Sequence, residues 1–205
     1  MSFPQPDNYP PEWVLSRGTP QPNGCPALSG TYSTRAADVY PRSAGTPPLL
    51  NEIFELKGEG IGIFKAHVSD RLWPALPGAT TASFKLDNDW IYVRFRDDSR
   101  GEATLKFTRS RVDFAEHQFD ALYHCHESAF GPAMHFARPA TYVRGLPYLF
   151  AEYDVVNVIL FKGTDGSLII NYQNQQISIP VFMVGSSLHT KRSIWWRYPI
   201  LESQP

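Results

Sequence analysis

Chemistry-bearing side chains are densest at Glu116-His117 and Tyr123-His124-Cys125-His126-Glu127, with His135 downstream. On a strand, His124 and His126 project to one face about 7 Å apart. That spacing suits two ligands of one zinc ion, with His117, Glu127 or His135 completing the set. The chemistry would be metal-assisted hydrolysis. Against it, the spacing matches no zinc-finger or zincin pattern. Phe114, Phe119, Leu122 and Tyr123 interleave the cluster, and histidines so placed also serve to edge a core or line a loop. We weigh that plainer reading above the metal.

Other catalytic signals are thin. Cys125 lies between two histidines, but neighbours on a strand point to opposite faces, which separates its thiol from His124 and His126. A Cys–His pair would need His117, His135 or a residue from further away. The chain has no Gly-x-Ser-x-Gly turn of the kind that presents a serine nucleophile. Glu52, Glu55 and Glu59 lie in or just after a short helical pattern. Asp87, Asp89, Asp97 and Asp98 sit at expected turns, where Asp bonds its own backbone. Gly58-Glu59-Gly60-Ile61-Gly62 opens no helix, so it lacks the amides and dipole of a phosphate cradle. It reads as a turn into a strand.

Aromatic and basic side chains carry more weight as binding groups. Trp90, Tyr92 and Arg94 share one expected strand face, opposite Ile91, Val93 and Phe95. Trp195, Trp196, Tyr198, Arg192 and Arg197 cluster near the C-terminus. Trp, Tyr and Arg anchor interfaces because they bury large area while keeping a polar handle. We take Trp90, Tyr92, Arg94, Trp196 and Arg197 as candidate binding residues. The competing reading is a second core covered by the proline-rich lead-in. Trp195 and Trp196 point oppositely, so one belongs to the core and the other is exposed or covered.

The elements that position these residues are mostly strands. The chain has 205 residues, 42% apolar and 19% charged, with 13 Phe, 10 Tyr and 5 Trp. This is a globular composition rich in β-forming aromatics. Residues 1–48 form a proline-rich irregular lead-in, with a short edge strand starting at Ser29-Gly30-Thr31-Tyr32. Residues 49–205 form a single β-rich domain. Leu49, Leu50, Ile53 and Phe54 share a helical face, which predicts one short helix near 47–56, capped by Thr46 and ended by Gly58. Ile61–Val68 reads as a strand. A meander runs through 82–86, 90–95 and 103–108, with Ala103, Leu105 and Phe107 inward. A second pairs 155–161 with 167–172 across Asp165-Gly166, a strong turn signal. Residues 177–184 form a further strand, with an edge or bulge at Pro180, and 194–198 closes the chain. About eight or nine mostly antiparallel strands imply a sandwich or partly open barrel.

Lys plus Arg is 19 and Asp plus Glu is 20, a net charge of −1. That leaves no electrostatic footprint for nucleic acid, and Arg109-Ser110-Arg111 and Lys191-Arg192 read as solvated charges. No apolar run approaches the ~18 residues that span a bilayer. Residues 1–24 have no basic start and no apolar stretch, so they are no secretory signal as written. The expected location is cytoplasmic, or periplasmic or envelope-anchored if the true start differs. Two cysteines permit one disulfide without establishing it; with no signal, two free thiols in a reducing compartment are favoured.

With these pieces in place the chain resembles a loosely defined group of small proteobacterial lipoproteins of uncharacterised function. The resemblance rests on Cys25-Pro26-Ala27-Leu28-Ser29-Gly30-Thr31-Tyr32, Pro48-Leu49-Leu50-Asn51-Glu52-Ile53-Phe54, Asp113-Phe114, Cys125, Asp165-Gly166-Ser167-Leu168 and Trp195-Trp196-Arg197-Tyr198-Pro199. It implies a β-rich envelope domain that binds something; some proteins of that kind neutralise toxins delivered by neighbouring bacteria. Residues 1–24 replace the family's export signal, which leaves open whether Cys25 is lipidated or paired with Cys125. The expected function is a non-catalytic binding protein without cofactor, an immunity protein contacting a toxin encoded nearby. The alternatives are a zinc hydrolase using His124, His126 and His135, or a small-ligand carrier.

Overall fold

A computed structural model describes residues 8–16, 24–54, 78–109, 122–144, 150–180 and 187–202. The expected strand at 61–68, the helix stop at Gly58, and His117, Glu116, Glu55 and Glu59 lie outside these residues.

The chain is mainly β, in two antiparallel sheets that do not close into a barrel. In chain order the strands are β1 (Gly30–Ser33), β2 (Asp38–Tyr40), β3 (Thr81–Asp87), β4 (Trp90–Asp97), β5 (Gly101–Arg109), β6 (Leu122–Ser128), β7 (Gly131–Arg144), β8 (Phe150–Lys162), β9 (Leu168–Pro180), β10 (Ser187–Tyr198) and β11 (Ile200–Glu202). The first sheet is ordered β11-β1-β3-β4-β5 and the second β6-β7-β8-β9-β10-β2. A short parallel joint, Thr108 with Leu122 and Arg109 with Tyr123, links β5 to β6.

The main core lies between the sheets. Ile91, Val93 and Phe95 of β4 and Leu105 and Phe107 of β5 face Met134, Phe136, Val158, Leu160 and Ile170 of the second sheet. Helix α1 (Leu50–Phe54) supplies the plug. The Phe54 ring lies 5.8–6.1 Å from those of Phe84, Phe95, Phe107 and Phe136, and so touches both sheets. This helix starts three residues later than expected. Its cap is Glu52, whose carboxylate accepts from the Leu49 N–H at 2.8 Å, half of a capping box. Pro47 and Pro48 precede the helix rather than forming its first turn.

The sheets differ in what covers their outer sides. Burial along β4 alternates strictly, the mark of a strand with one side in water. Residues 156–161 and 168–173 are buried on both sides. Over the second sheet's outer side, Trp13 and Leu15 pack on Ile159, Phe161, Ile169 and Trp195 as a second core. The Ser16 N–H donates to the Lys162 carbonyl at 2.8 Å and the Thr164 N–H to the Val14 carbonyl at 2.9 Å, fixing this strap. The expected lead-in thus covers Trp195, not Trp90 or Tyr92.

Four expectations need correction. The strand read from residue 29 is no edge: β1 lies between β11 and β3. Gly30, at φ +148°, allows this, since a Cβ there would stand 3.3 Å from the Glu202 carbonyl. The strand placed at 177–184 is, over its described part, the continuation of β9; Asn and Gln interrupt the apolar pattern but not the ladder, which runs to Phe150 opposite Pro180. The lead-in is only partly irregular, since it supplies β1, β2 and the buried Cys25, Leu28 and Tyr32. Finally, the cysteines are not free. Cys25 and Cys125 form a disulfide across a sequence separation of 100. Strand alternation turns Cys125 inward, away from His124 and His126, to where Cys25 is buried. The Cys25 sulfur is therefore engaged and is not presented to a lipid.

Side-chain hydrogen bonds tie the second sheet to β1 and to the segment before α1. Lys162 Nζ on β8 donates to the Tyr32 hydroxyl on β1 at 2.6 Å, and that hydroxyl donates to the Leu28 carbonyl at 2.8 Å. Tyr198 donates to the Pro48 carbonyl at 3.0 Å.

Candidate functional site

The outer side of the first sheet is an open surface among the described residues. It carries the expected trio on β4: Trp90, 39% exposed, Tyr92, half-buried, and Arg94, exposed. Antiparallel register lines them up with neighbours into rows. Lys85, Tyr92 and Lys106 form one row, and Ser83, Arg94 and Thr104 the next. Both rows border a shallow depression of about 460 Å³, lined by Ser83, Lys85, Asp87, Tyr92, Arg94 and Thr104. A second of about 430 Å³ continues toward β1 and β11, past Thr31, Arg96 and Glu202.

Lys106 Nζ sits 3.7 Å from the Trp90 ring centroid and 5.6 Å from that of Tyr92. Such a contact holds the indole in place at an exposed position for about 0.5–1 kcal/mol. Arg94 lies 3.8 Å from the Glu102 carboxylate, both well exposed, and Arg96 lies 3.5 Å from Asp98. Exposed pairs of this kind contribute little to stability. The face offers ring area, cations and hydroxyls, with no nucleophile–base pair among its lining residues.

Of the five expected binding residues, only Trp90, Tyr92 and Arg94 come together. Trp196 is 3% exposed within the main core, its ring tilted against that of Tyr172 at 5.5 Å, so it is not presented to a partner. Arg197, on β10 of the other sheet, is paired with Asp165. Burial raises that carboxyl, but hydrogen bonds from Ser167 and Arg197 outweigh it and bring it down to about 2. Arg197 therefore braces the Asp165-Gly166 turn. Sequence reading missed Lys85, Lys106, Ser83 and Thr104. Their signal was the same period of two that singled out Trp90 and Tyr92, applied to the flanking strands.

The histidines lie on the outer side of the second sheet. His124 and His126 stack with ring centroids 6.2 Å apart, and His126 meets His135 edge-on at 6.2 Å. Among the described residues, no group of three His, Cys, Asp or Glu side chains is arranged to hold a metal. His135 is buried, its Nε2 2.9 Å from Asn157 Oδ1. Burial lowers both His126 and His135 to about 4, with neighbouring imidazoles adding to the effect, so both are neutral at pH 7. A buried polar chain continues nearby: Gln173 donates to Asn171 at 2.8 Å and Asn171 to Ser193 at 2.9 Å.

No protein-family model, curated protein or solved structure matches the chain.

Proposed function

We propose that this chain is a non-catalytic binding protein that docks a protein partner on the open face of β3, β4 and β5. The observation that carries this reading is the exposed Trp90, held by Lys106, beside Tyr92 and Arg94 on a sheet whose other side is core. Ordered aromatic and Arg side chains on a rigid scaffold lose little conformational freedom on binding. The resemblance to small lipoproteins adds a partner class, a toxin delivered by a neighbouring bacterium, neutralised by direct contact. The buried disulfide supports an oxidising compartment as the place of action, since such bonds persist there.

The test is a pull-down from the native host with the wild type and a Trp90→Ala, Tyr92→Ala double variant, followed by sizing of the recovered complex. The wild type recovers a stoichiometric protein partner and the variant, still folded with a cooperative thermal transition, loses it. Equal recovery by both proteins removes the face from the account.

A further inference from the structure

Resting on the binding reading above, we infer that the partner presents an acidic segment to this face, carboxylates flanking an apolar or aromatic side chain. The basis is the placement of charge. Lys85 and Lys106 stand on either side of Tyr92 in one cross-strand row. Strand spacing puts their backbones about 10 Å apart. Neither lysine is within ion-pair distance of a carboxylate of the described residues. Asp87, which accepts from Asn88 Nδ2 at 3.2 Å, lines the same depression and marks its acidic border beyond Lys85.

Arg94 adds a third cation one step along β4, about 7 Å from Tyr92. Its ion-pair partner among the described residues, Glu102, is 3.8 Å away and solvent-exposed, a contact that a partner carboxylate replaces at little cost. Ser83 and Thr104 flank Arg94 in the same row and add hydroxyls suited to carboxylate oxygens. By register, then, Lys85 and Lys106 flank Tyr92 across the strands and Arg94 follows it along β4, with the Lys106 ammonium between the Trp90 and Tyr92 rings. At the other end of the face the charges are matched, with Arg96 near Asp98. Side chains two apart on an extended segment are spaced like the two rows, about 7 Å, so alternate carboxylates of such a segment meet Arg94 and the lysine row together. Local placement of charge, not the net charge of −1, would steer such a segment to these two rows.

The test titrates the full chain, isotope-labelled, with three probes: a short peptide of Glu and Leu, a short peptide of Lys and Leu, and a heparin-derived oligosaccharide. The Glu–Leu peptide shifts the resonances of Lys85, Tyr92, Arg94 and Lys106 and is weakened by salt. A Lys85→Glu, Lys106→Glu variant, folded by its thermal transition, binds it roughly tenfold or more weakly and gains affinity for the Lys–Leu peptide. Binding of the oligosaccharide alone, or equal binding of the Glu–Leu peptide by wild type and variant, overturns the inference. The native partner separates this outcome from failure of the binding face. Loss of that partner in the Trp90→Ala, Tyr92→Ala variant but not in the charge-reversed one keeps the face and discards the acidic partner.

Discussion

Trp195 and Trp196 are neighbours in the chain and belong to different cores. Trp196 packs between the sheets, whereas Trp195 lies under the strap of Trp13 and Leu15 with Phe161 and Tyr9 against it. Truncating either large buried ring to Ala costs about 3–5 kcal/mol. The two losses differ in kind. Trp195→Ala removes the floor of the strap, so limited proteolysis cuts within residues 9–16 faster than in the wild type. Trp196→Ala weakens the whole sandwich without selectively releasing the strap. Urea unfolding combined with mapping of the first cleavage site separates them.

The Cys25–Cys125 bond closes a loop across 100 residues. In the chain-entropy account a loop of that length stabilises the fold by about 4–5 kcal/mol. A Cys25→Ala, Cys125→Ala double variant should lose a stability of that order in guanidinium unfolding. Added reductant should shift the wild-type midpoint down and leave the variant unchanged.

Stability should also fall on mild acidification. His135 and His126 have folded values near 4, below the 6.5 of an unfolded histidine. The folded state then binds fewer protons between those limits, so their contribution is full above pH 6.5 and is lost as pH drops toward 4. For the nearly fully buried His135 the shift corresponds to about 3 kcal/mol. His126 contributes less because solvent screens it. His135→Gln should flatten the stability profile across this window, read by denaturant midpoints at successive pH values. Asp165, lowered to about 2, acts in a separate window, losing its contribution only as pH falls from its ordinary 3.8 toward 2.

The first sheet was legible because one side of it faces water. Alternation at Ile91, Val93 and Phe95 against Trp90, Tyr92 and Arg94 defines both the strand and its faces, and Asn88, at φ +53°, makes the turn that joins β3 to β4. The second sheet was harder, because both its sides are buried. The Asn and Gln residues of β9 read as a break, yet Asn171 and Gln173 are buried and hydrogen-bonded to each other. The pairing of Cys25 with Cys125 and the place of β1 are contacts between distant segments, which no local period encodes. The lysines beside Tyr92 were visible one by one, but only register brings them into a row.

Trp90 separates binding from stability. Its ring is partly exposed and held mainly by Lys106, so Trp90→Ala should cost no more than about 1 kcal/mol of folding stability. Its effect on partner binding should be larger, in line with an interface anchor. Thermal melts and partner titration on the same variant give the comparison.

The most direct measurement is a chemical-shift map of the isotope-labelled chain with its partner isolated from the native host. The Trp90 indole and the amides of Lys85, Tyr92, Arg94 and Lys106 should shift together while the outer side of β6–β10 stays unchanged. A footprint centred on His124, His126 and Asn157, with the β3–β5 face untouched, would contradict the account.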